Sequence, residues 1–254
     1  METTVFDTAL GEFGIGWTDA GVARVQLPGL EHGDMLQHLN RNGARAGEPP
    51  LVIEAVANRI EDYALLSDTE SAALVGRDGS IDWLTFPRFD SGACFANLLG
   101  DPENGRWLIA PAGEVERVER SYADNSLVLT TRFTTAQGEV EVIDCMPVRS
   151  DSRLDVVRLV RGISGSVAMR MDLVVRFDYG SIVPWTRAID GGVRFVAGPD
   201  ALNLICDVEV VANAGTTTAE FTVTAGEEVG FDLAWRPSHT AQPEPIDVSE
   251  AIDS

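Results

Sequence analysis

The chain has 254 residues, 44% of them apolar, which is enough for one large β domain or two small ones around a sizeable core. Its 19 basic residues are all arginine and stand against 40 carboxylates, for a formal net charge of -21. A surface of that sign repels phosphate backbones and anionic lipid, so neither nucleic acid nor membrane is expected as a partner.

In chain order, Val5 to Gly14 and Ile15 to Pro28 suggest a β-hairpin. Phe13, Ile15 and Trp17 alternate, Thr18, Asp19, Ala20 and Gly21 turn, and Val22, Val25 and Leu27 return. Leu30 to Asn42 fits a short helix with Leu36 and Leu39 on one face, and Gly43 to Pro50 has the composition of a linker. Leu51 to Ile60 again shows helical spacing at Val52, Val56 and Ile60. Thr8-Ala9-Leu10-Gly11 resembles the opening hairpin of the N-terminal subdomain of methylated-DNA protein-cysteine methyltransferases. That family acts through a Pro-Cys-His-Arg nucleophile. Here Cys94 is followed by Phe95, Cys145 by Met146 and Cys206 by Asp207, so the resemblance implies an inactive remnant or a fused fragment over residues 1–58.

From Ile60 to Gly100 the pattern changes. An apolar run, Ala72 to Val75, leads into a turn at Arg77, Asp78, Gly79 and Ser80, and a strand from Ser80 is stopped by Pro87 and the polar residues that follow it. Two strands joined by an Asp-Gly turn is the plain reading. The residue types also suit a sugar site, because Asp78, Asp82, Arg88 and Asp90 gather around Trp83, Phe86 and Phe89. Aromatic faces stack on a pyranose while carboxylates and arginine bond its hydroxyls.

From residue 105 onward the signal is repeatedly β: Trp107 to Ala110, a hairpin of Ser126 to Thr135 and Glu139 to Met146, and an alternating run from Val167 to Phe177. Further strands fit Val193 to Ala197, Leu202 to Val211, Thr217 to Thr224 and Val229 to Trp235. Such close spacing predicts a mainly β fold, an antiparallel sandwich over residues 59–239 with a small α+β extension before it. Thr240 to Pro245 reads as a polar linker and Ile246 to Ser254 as the start of a helix.

The Gly-Arg-Asp-Gly-Ser-Ile-Asp-Trp and Pro-Arg-Phe-Asp-Ser blocks, with Phe177-Asp178-Tyr179-Gly180 and Val183-Pro184-Trp185, resemble the N-terminal domain of bacterial glycoside hydrolase family 15 proteins, the glucoamylase and trehalase-like enzymes, over about residues 60–245. The resemblance implies a supersandwich-like β domain preceding an (α/α)6 helical barrel that carries both catalytic glutamates. It therefore implies a non-catalytic domain or truncated fragment whose partner is such a barrel, in cis or in trans, with an α-glucan or trehalose as the sugar. One departure is Ser181, where the family pattern leads to an arginine.

Trp83, Arg88, Phe89, Asp90, Asp178, Tyr179 and Trp185 are the residues expected to dock the barrel or touch sugar. The same residues also serve as strand core and packed corner. No catalytic residue is assigned. Glycoside hydrolysis needs an acid raised by apolar burial beside an ionised carboxylate, and 40 carboxylates provide chance pairs in any case. Cys94, Cys145 and Cys206 have no disulfide or metal spacing, and His32, His38 and His239 have no ligand spacing, so no metal or cofactor is expected. The N-terminus shows no basic and apolar leader, and a cytoplasmic location is expected. Three functions remain open: the structural domain of a family 15 hydrolase, a carbohydrate-binding module, and an enzyme in its own right.

Overall fold

In the computed structural model, one strand of 21 residues, β13 (Leu154–Val174), serves two sheets. The structure describes residues 1–8, 11–18, 21–26, 32–39, 45–47, 62–148 and 153–253. The helical reading of Leu51 to Ile60 lies outside them. The chain folds as two compact units, Met1–Tyr63 and Ala64–Ser254.

The first unit contains β1 (Glu2–Thr8), β2 (Gly11–Thr18), β3 (Gly21–Gln26), α1 (His32–Leu39) and β4 (Arg45–Ala46). Its four-stranded sheet runs β3-β2-β1-β4. The expected hairpin is β2 with β3, Thr18 facing Gly21, and β1 adds a second antiparallel partner in register Glu2 to Trp17. Two residues of the expected linker, Arg45 and Ala46, instead extend the sheet by pairing parallel to β1. Helix α1 buries Met35 and Leu39. It can approach β2 because position 14 is glycine: a Cβ there would lie 2.6 Å from Leu39 Cδ1.

The second unit begins with β5 (Ala64–Ser67), β6 (Ala72–Val75), β7 (Ser80–Thr85), β8 (Ala93–Phe95) and β9 (Arg106–Pro111). β10 (Arg117–Tyr122), β11 (Leu129–Thr135) and β12 (Gly138–Cys145) lead to β13. After it come β14 (Trp185–Ile189), β15 (Gly192–Ala197), β16 (Asp200–Cys206), β17 (Val211–Asn213), β18 (Thr216–Thr224), β19 (Glu228–Pro237) and a last helix, α2 (Val248–Asp253). Among the described residues all strand pairings in this unit are antiparallel.

The first half of β13 pairs with β12 on one edge and β19 on the other, and its second half pairs with β9 and β18. Between the halves, Gly165 has φ +67, and a Cβ there would fall on the Gln137 carbonyl. Only glycine fits such a corner. Two layers result, β10-β11-β12-β13-β19-β16-β15-β14 and β17-β18-β13-β9-β7-β6-β5, joined through the shared strand. Side chains from both, among them Trp107, Met171 and Ile81 from one and Phe133, Phe195 and Phe231 from the other, form a single apolar cluster. This is the mainly β sandwich expected from the strand spacing.

The alternation survives in detail. In β11, Leu129, Thr131, Phe133 and Thr135 are buried while Thr130, Arg132 and Thr134 face outward. In β13, Val167, Met169, Met171 and Leu173 point to the core. The strand expected over Leu202 to Val211 is divided: β16 stops at Cys206, and Asp207 turns back to accept the Gly230 N–H at 2.7 Å before β17 begins.

Candidate functional site

Two loops and one turn meet at one end of the sandwich. The first loop leaves β7 at Phe86 and Pro87. Its Arg88 and Ser91 are tied to each other, Ser91 N–H to the Arg88 carbonyl at 3.1 Å and Arg88 N–H to Ser91 Oγ at 3.2 Å. Phe89 N–H donates to the Glu70 carbonyl at 2.8 Å, which leaves its ring half in solvent. Arg88 Nε donates to Asp90 Oδ1 at 3.0 Å, an exposed pair that contributes little to stability.

The second loop follows β13. Arg176 N–H donates to the Cys94 carbonyl and Tyr179 N–H to the Ala93 carbonyl, both at 3.2 Å, so β8 anchors it. Phe177 and Ile182 form an isolated antiparallel bridge. Inside it Asp178, Tyr179 and Gly180 take φ of 51, 58 and 96, three successive left-handed residues. For Asp178 and Tyr179 such backbone is costly and persists only where the surroundings impose it. Ser181, at the departure from the expected arginine, donates its Oγ–H to the Asp178 carbonyl at 2.7 Å and closes the loop.

Of the expected site residues, Trp83 and Tyr179 are in ring contact and Asp178 lines a cleft at this end, whereas Arg88, Phe89 and Asp90 are exposed and do not line it. Trp83 is buried in β7 and its ring lies 5.9 Å from that of Tyr179, tilted by 44°. Partial burial, then the charges of Asp178 and Asp90, push the Tyr179 phenol above its ordinary pKa. Phe86, Pro87, Phe177 and Asp178 line an open cleft of about 410 Å³, closed on its far side by the turn from Ala197 to Asp200. Trp185 lies outside this cleft. It starts β14 with 86% of its surface exposed, beside the exposed Ile182 and Val183. Asp78, the turn acid, accepts the Ser80 N–H at 3.1 Å.

The turn from Ala197 to Asp200 carries Gly198-Pro199-Asp200, a turn composition that in itself points to no cleft. Asp200 fixes it by accepting Trp235 Nε1–H at 3.0 Å. A second group that sequence reasoning missed lies elsewhere, on the outer face of β13 and β19, where Asp155 and Asp232 are buried beside Arg153. Burial pushes both carboxyls upward, and for Asp232 the Asp155 charge adds to it. Two acids separated by 77 residues carry no sequence signal of contact. Burial also pushes the thiols of Cys94 and Cys145 up to about 12, and that of Cys206 upward, far from a thiolate nucleophile. Among the described residues no group of three or more His, Cys, Asp or Glu is placed to hold a metal ion, and no helix is long and apolar enough to cross a membrane.

A β-sandwich that presents its aromatic and charged residues on loops at one end belongs to the class of domains whose framework is rigid and whose contacts are made by connections. The chain belongs to the trehalase-like N-terminal domain family, whose profile it matches over residues 51–247. It is similar to Trehalase 1 of Sulfolobus acidocaldarius, 33% identical over 151 residues that cover 58% of this chain and 25% of the relative. The trehalase of Mycobacterium tuberculosis is 28% identical over 220 residues, 76% of this chain and 32% of the relative. The chain thus spans about a quarter to a third of the length of these curated relatives.

Proposed function

We propose that the chain is the non-catalytic sandwich domain of a glycoside hydrolase family 15 α-glucosidase, of the trehalase or glucoamylase kind, and that it supports hydrolysis only together with an (α/α)6 barrel, in cis or in trans. The observation that carries this reading is the concentration of exposed apolar side chains, Phe89, Tyr179, Ile182, Val183 and Trp185, on the loop end. Exposed aromatics beside arginine are the composition of contact surfaces, and a rigid sandwich has no structural need of them in water. The length comparison supports the same reading, since relatives bearing the name trehalase continue well beyond the matched portion. The perturbed acids Asp155 and Asp232 each give one oxygen to Arg153 and lie on the outer face of β13 and β19, apart from the loop end. Three free cysteines fit a cytoplasmic, reducing setting.

A second reading, a carbohydrate-binding module, is favoured by one observation: the nearly bare indole of Trp185 is available to stack on a pyranose. Hydrolysis of trehalose and maltooligosaccharides by the purified chain, alone and mixed with a separately expressed barrel, separates the readings. The proposal expects no turnover alone, turnover on mixing, and loss of that gain in Trp185→Ala. Turnover by the chain alone overturns it. Glucan binding by the isolated chain that Trp185→Ala abolishes, with no effect of mixing, establishes the second reading instead.

A further inference from the structure

The span from Thr240 to Pro245, a linker by composition, is held to the sandwich by two arginines, the buried Arg194 and the half-buried Arg153. Arg194 donates from Nη2 to the carbonyls of Ser238 at 2.9 Å and Thr240 at 3.1 Å. Arg153 makes three contacts of 2.7 Å: Nε to Asp155 Oδ2, Nη2 to Asp232 Oδ2 and Nη1 to the Glu244 carbonyl. Beyond it, residues 245–249 form one wall of a cleft of about 350 Å³ whose other wall includes Asp207, Glu228 and Asp232.

Arg153 thus serves two carboxyls with one charge while holding the C-terminal segment by its third donor. The second oxygens of both acids, Asp155 Oδ1 and Asp232 Oδ1, are buried with no hydrogen-bond donor among the described residues. A single proton shared by the two carboxyls would supply that donor and leave one carboxylate to balance Arg153. Buried like charges in contact cannot both ionise cheaply. The segment above is itself acidic, with Glu244, Asp247, Glu250 and Asp253 and no basic residue from 240 to 254.

We propose that Arg153, Asp155 and Asp232 form a proton-controlled latch, which holds residues 244–253 against the sandwich while the two acids share a proton and loosens them when both ionise. The charged neighbours agree with that direction. From β19, Glu228 is paired with Arg161, and Arg236 lies near Asp155; from the turn after β16, Asp207 is committed to the Gly230 N–H. From the segment itself Asp247 caps α2 by accepting the Ser249 and Glu250 N–H groups. Among the described residues Arg236 is a further cation near Asp155, and a second buried negative charge meets a cleft lined by Glu228, Asp207 and Asp247.

The sign follows from linkage. Burial, then the Asp155 charge, pushes Asp232 up to about 8 in the closed form. Opening lets water reach the pair, so its acids return toward ordinary carboxylate values near 4. The closed form therefore binds a proton that the open form releases, and opening becomes more favourable as pH rises from about 4 to about 8, by up to about tenfold per pH unit, and levels off above. Arg194 keeps residues 238–240 in place in either state.

Hydrogen exchange read by mass spectrometry on the whole chain, corrected for the intrinsic pH dependence of exchange, tests this. Between pH 5.5 and 8.5 peptides covering 245–253 are expected to lose protection by about tenfold or more, while Met169 to Leu173 in β13 keeps its protection. Asp232→Asn, which mimics the protonated acid, is expected to hold the low-pH protection at both values, and Arg153→Gln to lose it at both. Protection of 245–253 in the natural chain that does not change with pH overturns the latch. So does an Asp232→Asn chain that loses protection as the natural one does. Should Asp232→Asn lack the native circular dichroism, Asp155→Asn carries the same expectation, and the pH series of the natural chain decides alone.

Discussion

Arg158 and Asp144 are both fully buried and joined in the middle of the sandwich, Nε to Oδ1 at 2.7 Å and Nη2 to Oδ2 at 3.3 Å. The guanidinium also reaches across to the other layer, donating to the carbonyls of Trp107 and Gly79 at 2.7 Å each, and lies 5.2 Å over the Trp107 ring. One ion pair therefore ties β12 and β13 to β9 and to the turn before β7. Removing one partner strands the other in the core. Asp144→Ala should lose about 3–5 kcal/mol in denaturant unfolding. The double variant Asp144→Leu, Arg158→Met should recover part of that and no more, since it removes both charges but leaves the Trp107 carbonyl without this donor.

Gly79 lies at φ +83 and its own carbonyl accepts from both Arg158 and Ile109 N–H. A Cβ at this position falls on the Ile109 carbonyl. Gly79→Ala is expected to cost about 1–3 kcal/mol from backbone strain, with more from displacing the Arg158 contact. Thermal unfolding checks it. Gly226, also left-handed but with open space around it, is the control and should lose less on the same change.

Tyr122 closes one side of the sandwich. Its hydroxyl donates to the Leu65 carbonyl at 3.0 Å and accepts the Leu65 N–H at 2.8 Å, so a side chain of β10 takes the place of a neighbouring strand on β5. Partial burial raises its phenol pKa, with the Leu65 bond and the Arg120 charge acting in the opposite sense. Tyr122→Phe should cost about 1 kcal/mol and speed exchange of the Leu65 amide, with little change in β9 or β18.

Asp232 and Asp155 make global stability depend on pH in a stated direction. Their folded pKa values are raised above the unfolded ones. The folded chain therefore holds a proton that the unfolded chain releases, and the contribution is whole below about pH 4 and lost as pH rises toward about 8. Asp232→Asn should gain on the natural chain between pH 5.5 and 8 when the two are compared by unfolding in urea at each value. A difference between them that stays flat across that range counts against the raised carboxyls.

How much of this was legible depends on which face of each strand meets what. Val167 to Leu173 has core on one side and solvent on the other, so its alternation could be read directly. Leu154 to Val160 could not be read that way: Val156 and Val160 face the apolar core, Asp155 and Leu159 are also buried, and Arg158 points inward among apolar neighbours. With both faces covered, the run loses its period, and a buried arginine looks like a surface residue. The Gly-Arg-Asp-Gly-Ser block was legible as a turn, while the use of the Gly79 carbonyl by Arg158 depends on a residue 79 positions away. At the loop end, the aromatic and acidic residues could be named because two short blocks carried them. The turn from Ala197 to Asp200 joins them only through the sheet order β14-β15-β16-β19, which no local pattern encodes.

The shared strand also sets the order in which the chain can be finished during synthesis. The first half of β13 finds β12 already made, but its other neighbour, β19, pairs Trp235 with Leu154 and Glu228 with Arg161. At ribosomal rates of roughly 5–20 residues per second, β19 emerges several seconds after the strand it must cover. For that interval the run from Leu154 to Val160 offers nascent chains an unpaired apolar edge, the kind of surface that chaperones and neighbouring polypeptides bind. Damage to β19 should consequently be felt as aggregation during expression before it is felt as lost stability in the finished protein.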